Sequence, residues 1–129
     1  IISAVDTSKE MLDVAKKFSY ANCTVDDAES VSLHEPADLI TIMFAFHEIP
    51  QEGRIKILEN AHNNLVKGGH LLVVDIDMAY SPSEMMLTGE PYIHDYLENV
   101  QTDIRKIFPH VSETVIIPGH VRQWIASKI

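Results

Sequence analysis

The sequence predicts an α/β domain, a mostly parallel sheet closed at one edge by an antiparallel pair. Three observations carry that expectation. Residues 37–44 (A-D-L-I-T-I-M-F) and 70–76 (H-L-L-V-V-D-I) are short, nearly continuous apolar runs, the pattern of parallel strands covered on both faces. Between them lies a segment with helical periodicity, long enough for a crossover. Residues 113–117 and 121–127 alternate around Pro118-Gly119 and read as an antiparallel hairpin.

Each element has its own signal. Residues 1–6 (I-I-S-A-V-D) read as a buried strand ending in an acid. Thr7-Ser8-Lys9-Glu10 is a capping-box pattern that starts a helix, with Met11, Leu12, Val14, Ala15 and Phe18 as its apolar stripe. Residues 22–25 are a short strand, followed by the polar turn Asp26-Asp27-Ala28-Glu29. Pro50 opens a second helix whose buried side is expected at Ile55, Leu58, Ala61, His62 and Leu65, and Gly68-Gly69 should stop it by a glycine C-cap. Residues 78–91 hold two prolines, a glycine and the pair Met85-Met86, so they read as a lid with a short helix. Residues 92–108 carry a helical stripe of Ile93, Tyr96, Leu97, Val100, Ile104 and Ile107.

The bulk numbers narrow the class. A chain of 129 residues fits one domain with one core, 1–129. A hydrophobic content of 46%, with 22% charged residues, is ordinary for a globular protein. The net charge of −9 disfavours nucleic acid and anionic membranes as partners, because both repel it. A single cysteine, Cys23, excludes an internal disulfide and suits a reducing compartment, so the expected location is cytoplasmic. The longest apolar run falls far short of the ~20 residues of a membrane span.

In open parallel sheets, ligands bind beyond the carboxyl ends of the strands. Asp6, Asp27, Met43–His47 and Asp75–Asp77 all fall at such ends, so the polar clusters are expected to share one rim, with Asp6, Asp27 and His47 in a single pocket. Seven histidines show no tight ligand spacing and Cys23 has no cysteine partner, so no metal site is expected.

The blocks V-D-T-S-K-E-M-L (5–12), D-A-E-S-V-S-L (27–33), A-D-L-I-T-I-M-F-A-F-H-E-I (37–49) and L-V-K-G-G-H-L-L-V-V-D (65–75) resemble, in order and spacing, the class I S-adenosylmethionine-dependent methyltransferases. The resemblance implies a Rossmann-like sheet and S-adenosyl-L-methionine as cofactor. It places Asp6 on the ribose hydroxyls, with Thr7 beside it and Met11 packed on the adenine. Asp27 would take the adenine amino group and the Ala28 amide a ring nitrogen, while Met43 and Phe44 would pass beside the methionine part. His47 and Glu48 fall where the transferred methyl should sit, and His47 could take a proton from the acceptor. Each has a plainer alternative: Asp6 as a helix cap, Met11 as core, Asp26 in place of Asp27, His47 as a loop-positioning residue.

The family's first strand and glycine-rich loop are not among these residues, so the expectation is a domain missing its first βα unit. The strands flanking that place must pair directly, accept a strand from another chain, or belong to a fragment of a longer product, and the fragment is favoured. An open sheet of this kind also invites homo-oligomers. The expected activity of the parent is methyl transfer to a small molecule, apolar or aromatic if Met85, Met86, Tyr92 and Tyr96 line its site. Two alternatives stand beside it: a non-catalytic methyltransferase-like module, and a nicotinamide-dinucleotide-binding half-domain.

Overall fold

The computed structural model describes residues 1–129. In chain order the elements are β1 (Ser3–Asp6), α1 (Lys9–Phe18), β2 (Asn22–Val25), β3 (Ala37–Met43), a single 3-10 turn (Phe46–Glu48), α2 (Gln51–Asn64), β4 (Leu65–Ile76), α3 (Glu84–Gly89), α4 (Ile93–Ile107), β5 (His110–Ile117) and β6 (Val121–Ser127). The α/β class and the C-terminal hairpin agree with the sequence. The strands divide between two sheets, a parallel pair β1–β2 and a four-stranded sheet ordered β3-β4-β6-β5. β3 and β4 run parallel, and β6 is antiparallel to both β4 and β5. β1 and β3 do not pair with each other, so direct pairing of these two strands is not the arrangement adopted.

The main buried cluster runs from Phe46 to Ala126, with Ala37, Ile40 and Ile42 of β3 packed against it. Trp124 on β6, Tyr96, Val100 and Ile104 on α4, Leu58 on α2 and Leu71 and Val73 on β4 belong to one buried cluster. By contrast, Leu12 is the one buried residue among residues 1–45. The expected stripe of α1 is mostly outside: Met11, Val14 and Phe18 are exposed. The first unit is tied to the rest largely by amide side chains of α2. Asn60 Nδ2 donates to the carbonyls of Ala28 and Val31, at 3.0 and 2.9 Å, and Asn64 donates to Val31 O while accepting from Leu33 N–H.

Three local expectations change. The cap of α1 is Ser8 rather than Thr7: its Oγ accepts from Met11 N–H and donates to the Glu10 carboxylate. The buried side of α2 is Arg54, Ile57, Leu58 and Ala61, so the face is rotated away from Ile55 and His62. Gly68-Gly69 does not cap α2, which ends at Asn64 as the chain extends directly into β4. The glycines bend that strand instead. Gly68 has φ +82°, and a Cβ on Gly69 would lie 3.0–3.2 Å from the carbonyl oxygens of Val66, Asp38 and Ala37. The register of β3 on β4 slips at this place, between Ala37 and Leu39.

Arg54 is fully buried and joins α2 to α4. Its guanidinium donates to Ile49 O at 2.7 Å and to the Asp95 carboxylate at 2.9 Å, and it lies 3.4 Å from the buried Asp103. Gln51 completes the link by donating its side-chain amide to Asp103 and its backbone N–H to Asp95. Removing one member of a buried ion pair leaves the other charged and unsolvated. Arg54→Met should therefore lower stability by about 3–5 kcal/mol, read from the urea midpoint. Hydrogen exchange should protect the amides of β4, β6 and α4 far more than those of β1, α1 and β2, because protection follows buried contacts. Equal protection in the two regions would contradict that division.

Candidate functional site

β3 ends at Met43 and the chain turns sharply. Phe44 sits at φ 52°, in the left-handed region that non-glycine residues rarely adopt. The 3-10 turn that follows is held by the carboxylate of Asp75, which is fully buried at the end of β4. One oxygen accepts the backbone N–H of Phe46 at 2.9 Å and of His47 at 3.3 Å. The other lies 2.7 Å from His47 Nδ1 and accepts the backbone N–H of Ile76 at 2.8 Å. Asp75 thus fixes the backbone of the turn and the imidazole it carries.

The imidazole of His47 is largely buried. Its Nε2 points toward Glu90 Oε2, 3.4 Å away, and Glu48 Oε1, 3.8 Å away. The hydrogen bond to Asp75 raises the His47 pKa above its ordinary value of 6.5. Burial opposes the rise, and the charges of Asp75, Glu90 and Glu48 add to it.

A second feature lies at the ends of β1 and β2. Val5, Asp6, Thr7, Asp26, Asp27, Ala28 and Glu29, with Ile49 and Ile57 from the core side, line a cleft of about 240 Å³. Consecutive parallel strands deliver both acids to one rim. One oxygen of Asp6 accepts from Ser8 N–H at 2.8 Å, and one oxygen of Asp27 accepts from Glu29 N–H at 2.8 Å. The remaining oxygen of each makes no hydrogen bond within the chain. The cap role for Asp6 and the open acceptor role therefore coexist.

Asp6, Thr7, Asp27 and Ala28 are brought together as anticipated, with Asp26 beside them. His47 does not line this cleft, so the single pocket of Asp6, Asp27 and His47 resolves into two neighbouring features bridged by Ile49. Met11 is exposed on α1 outside the cleft, and Met43 and Phe44 are half-exposed at the end of β3. Of the lid residues, Met85 projects into solvent and Tyr92 is partly exposed. Met86 packs on the core and lies 3.2 Å from the Tyr80 hydroxyl. Tyr96 corrects the expectation for that group. It is wholly buried, its hydroxyl donates to Ile76 O at 2.5 Å, and burial drives its pKa up, so it is a core residue with no free face.

Of two further site residues, the sequence placed Asp75 on the rim without a role and did not single out Glu90. Asp75 ends an apolar strand, a signal that could have marked it beside His47. Glu90 lies 42 residues beyond Glu48, and only the fold joins them. At Asp77, burial pushes the pKa up, but the Arg122 guanidinium at 2.8 Å and the Gly119 N–H outweigh this and lower it. That pair pins the hairpin to the end of β4.

Residues 1–69 match a family described as a methyltransferase domain. Among solved structures, the chain is similar to the N-methyltransferase NodS from Bradyrhizobium japonicum in complex with S-adenosyl-L-homocysteine, with 14% identity and a TM-score of 0.67 over 98% of this chain and 65% of that one. It is also similar to human N-acetylserotonin methyltransferase in complex with S-adenosylmethionine, at 17% identity and a TM-score of 0.72 over 98% of this chain and 40% of that one. A third similarity is to the PH0226 protein from Pyrococcus horikoshii OT3, at 11% identity and a TM-score of 0.72 over 99% of this chain and 71% of that one. At such identities the likeness shows the fold. The chain spans 52% and 43% of the length of two further structures that it matches. No curated protein sequence matches significantly. No helix is long and apolar enough to cross a membrane.

The raised pKa of His47 has a stability consequence with a definite sign. A group whose pKa is higher in the folded state stabilises fully below its unfolded value, and that stabilisation fades as pH rises through the folded value. An NMR titration of the His47 ring should give a midpoint above 6.5, and Asp75→Asn should lower it, since the largest cause of the rise is lost while burial still opposes protonation. An unchanged midpoint in Asp75→Asn would show that the Nδ1 contact does not set the imidazole's charge.

Proposed function

This chain belongs to the methyltransferase domain family, and from that premise we propose that it forms the nucleoside-binding and acceptor-facing part of an S-adenosylmethionine-dependent methyltransferase acting on a small molecule. The observation that carries this reading is the cleft in which Asp6, Thr7, Asp27 and Ala28 meet. Its donor set fits the adenosine end of the cofactor. A carboxylate with a free oxygen can accept from a ribose hydroxyl, and a second can accept from an exocyclic amine. No glycine and no cationic residue is among those lining the cleft, so the lining offers nothing to the amino-acid carboxylate of the cofactor.

When bound, S-adenosylmethionine supplies an electrophilic methyl group on a sulfonium. The chain's residues would orient and prepare the partners of that transfer, which depends chiefly on proximity and alignment. Asp6 and Thr7 would hold the ribose, Asp27 and the Ala28 N–H the adenine. Met43 and Phe44 would offer apolar surface between the cleft and His47. Met85, Met86 and Tyr92 would present apolar surface to an acceptor, consistent with an apolar or aromatic substrate. Asp75 would hold His47 through Nδ1, with Glu48 beside Nε2, and Nε2 would take a proton from the acceptor. Nε2 is free to do so only in the neutral imidazole, so transfer through His47 should gain rate as pH rises above 6.5.

Family membership leaves the dinucleotide alternative without support. The non-catalytic module is separated by experiment. Saturation-transfer NMR of the 129-residue chain with S-adenosylhomocysteine should label the adenine and ribose protons more than those of the amino-acid tail. Asp6→Ala should weaken binding by about 1.5–3 kcal/mol, the worth of hydrogen bonds to a charged group, which is roughly ten- to hundredfold in affinity. Absence of any adenosine signal would favour the module that binds no cofactor, and equal affinity in Asp6→Ala would remove Asp6 from the ribose site.

A further inference from the structure

We propose that His47, Glu48 and Glu90 form a binding site for one divalent first-row transition-metal ion, at the rim between the end of β3 and the C-terminal end of α3. The site goes beyond the proposed methyl transfer, and because an ion there would take the Nε2 lone pair, metal binding is an alternative to proton transfer through His47 and not an addition to it. Spacing along the chain had suggested no ligand set, because residues 47, 48 and 90 converge only in the fold.

The ligand atoms converge without binding one another. His47 Nε2, a Glu48 oxygen and a Glu90 oxygen all lie within 4.8 Å of each other. The imidazole side chain is 9% exposed, and Nε2 makes no hydrogen bond within the chain. Glu90 Oε2 is buried and has no hydrogen-bond partner, although it lies 3.4 Å from Nε2. A simple ion pair between them would close to ~2.8 Å with aligned geometry. The observed separations of 3.4 and 3.8 Å instead suit two ligands sharing one ion, since bonds of ~2.1 Å at a tetrahedral angle put ligand atoms ~3.4 Å apart. A cation there would satisfy the orphaned Glu90 oxygen and engage the unbonded Nε2 at once.

The surroundings are those of a metal-ligating histidine. Asp75 holds Nδ1 at 2.7 Å, which fixes the tautomer and presents the Nε2 lone pair outward, the carboxylate–histidine–metal relation. Three carboxylates, from Asp75, Glu48 and Glu90, surround one imidazole, so the local field favours a cation. One nitrogen and two oxygen donors suit zinc, manganese, iron or cobalt better than calcium, which prefers all-oxygen shells, or copper(I), which prefers sulfur. Three protein ligands leave a coordination position open to water or an acceptor oxygen. Because Glu90 follows α3 directly, the ion would also join residues 78–91 to the strand end.

The test is a Co²⁺ titration of the full 129-residue chain after dialysis against chelator, followed by visible absorption. Saturation at one ion per chain with d–d bands of a four- or five-coordinate site is expected, and His47→Gln should abolish it. Glu48→Gln and Glu90→Gln should each weaken binding by about tenfold or more, and Asp75→Asn by about 10–100-fold. Glu48 is 62% exposed, so Glu48→Gln keeps the test sound even if the buried variants fold poorly. Absence of the bands in the wild-type chain, or a Co²⁺ affinity unchanged in both Glu48→Gln and Glu90→Gln, would overturn the site. Either result would leave S-adenosylhomocysteine binding at Asp6 untouched.

Discussion

The buried carboxylate of Asp75 is the constraint on which the rest of the rim depends. It ends the strand that pairs with both β3 and β6, so it stands where the sheet is most fully supported. Three backbone N–H groups and one imidazole nitrogen converge on its two oxygens. Hydrogen bonds to a charged group are each worth about 1.5–3 kcal/mol, and a buried carboxylate with fewer partners would be costly. The left-handed turn at Phe44, the 3-10 turn and the orientation of His47 therefore hang on one side chain.

The order of elements was legible because it is written in short-range signals. Apolar runs at 37–43 and 70–76, the turn at Pro118-Gly119 and the proline before α2 are each decided within a few residues. What escaped depends on distant partners. Arg54 looks like a surface residue in sequence, yet Asp95 and Asp103 bring it inside and rotate the buried face of α2. Gly68-Gly69 reads locally as a helix stop, whereas the close carbonyls of Ala37 and Asp38 make it a bend in β4. Tyr96 belongs to a helical stripe and also looked like a substrate contact. Its hydroxyl finds Ile76 O, a partner 20 residues away that no local pattern discloses.

The candidate site divides in the same way. Asp6 and Asp27 end consecutive strands, so their shared rim followed from α/β topology alone. The cluster around His47 required residues 47, 48, 75 and 90 to converge, and only the first two are neighbours in the chain. Buried networks of this kind carry little sequence signature because their members are set by packing rather than by period.

The distribution of buried volume also sets how the chain can change over time. Between Phe46 and Ala126 the interior is filled by interlocking aliphatic and aromatic side chains, where altering even a methylene is felt. In residues 1–45 only Leu12 is so enclosed. Mutational drift in the first third of the chain should therefore be filtered by charge and hydrogen-bonding capacity, at positions such as Asp6 and Asp27, and in the remainder by shape. Two parts of one polypeptide would then accumulate substitutions under different currencies of selection, one chemical and one steric.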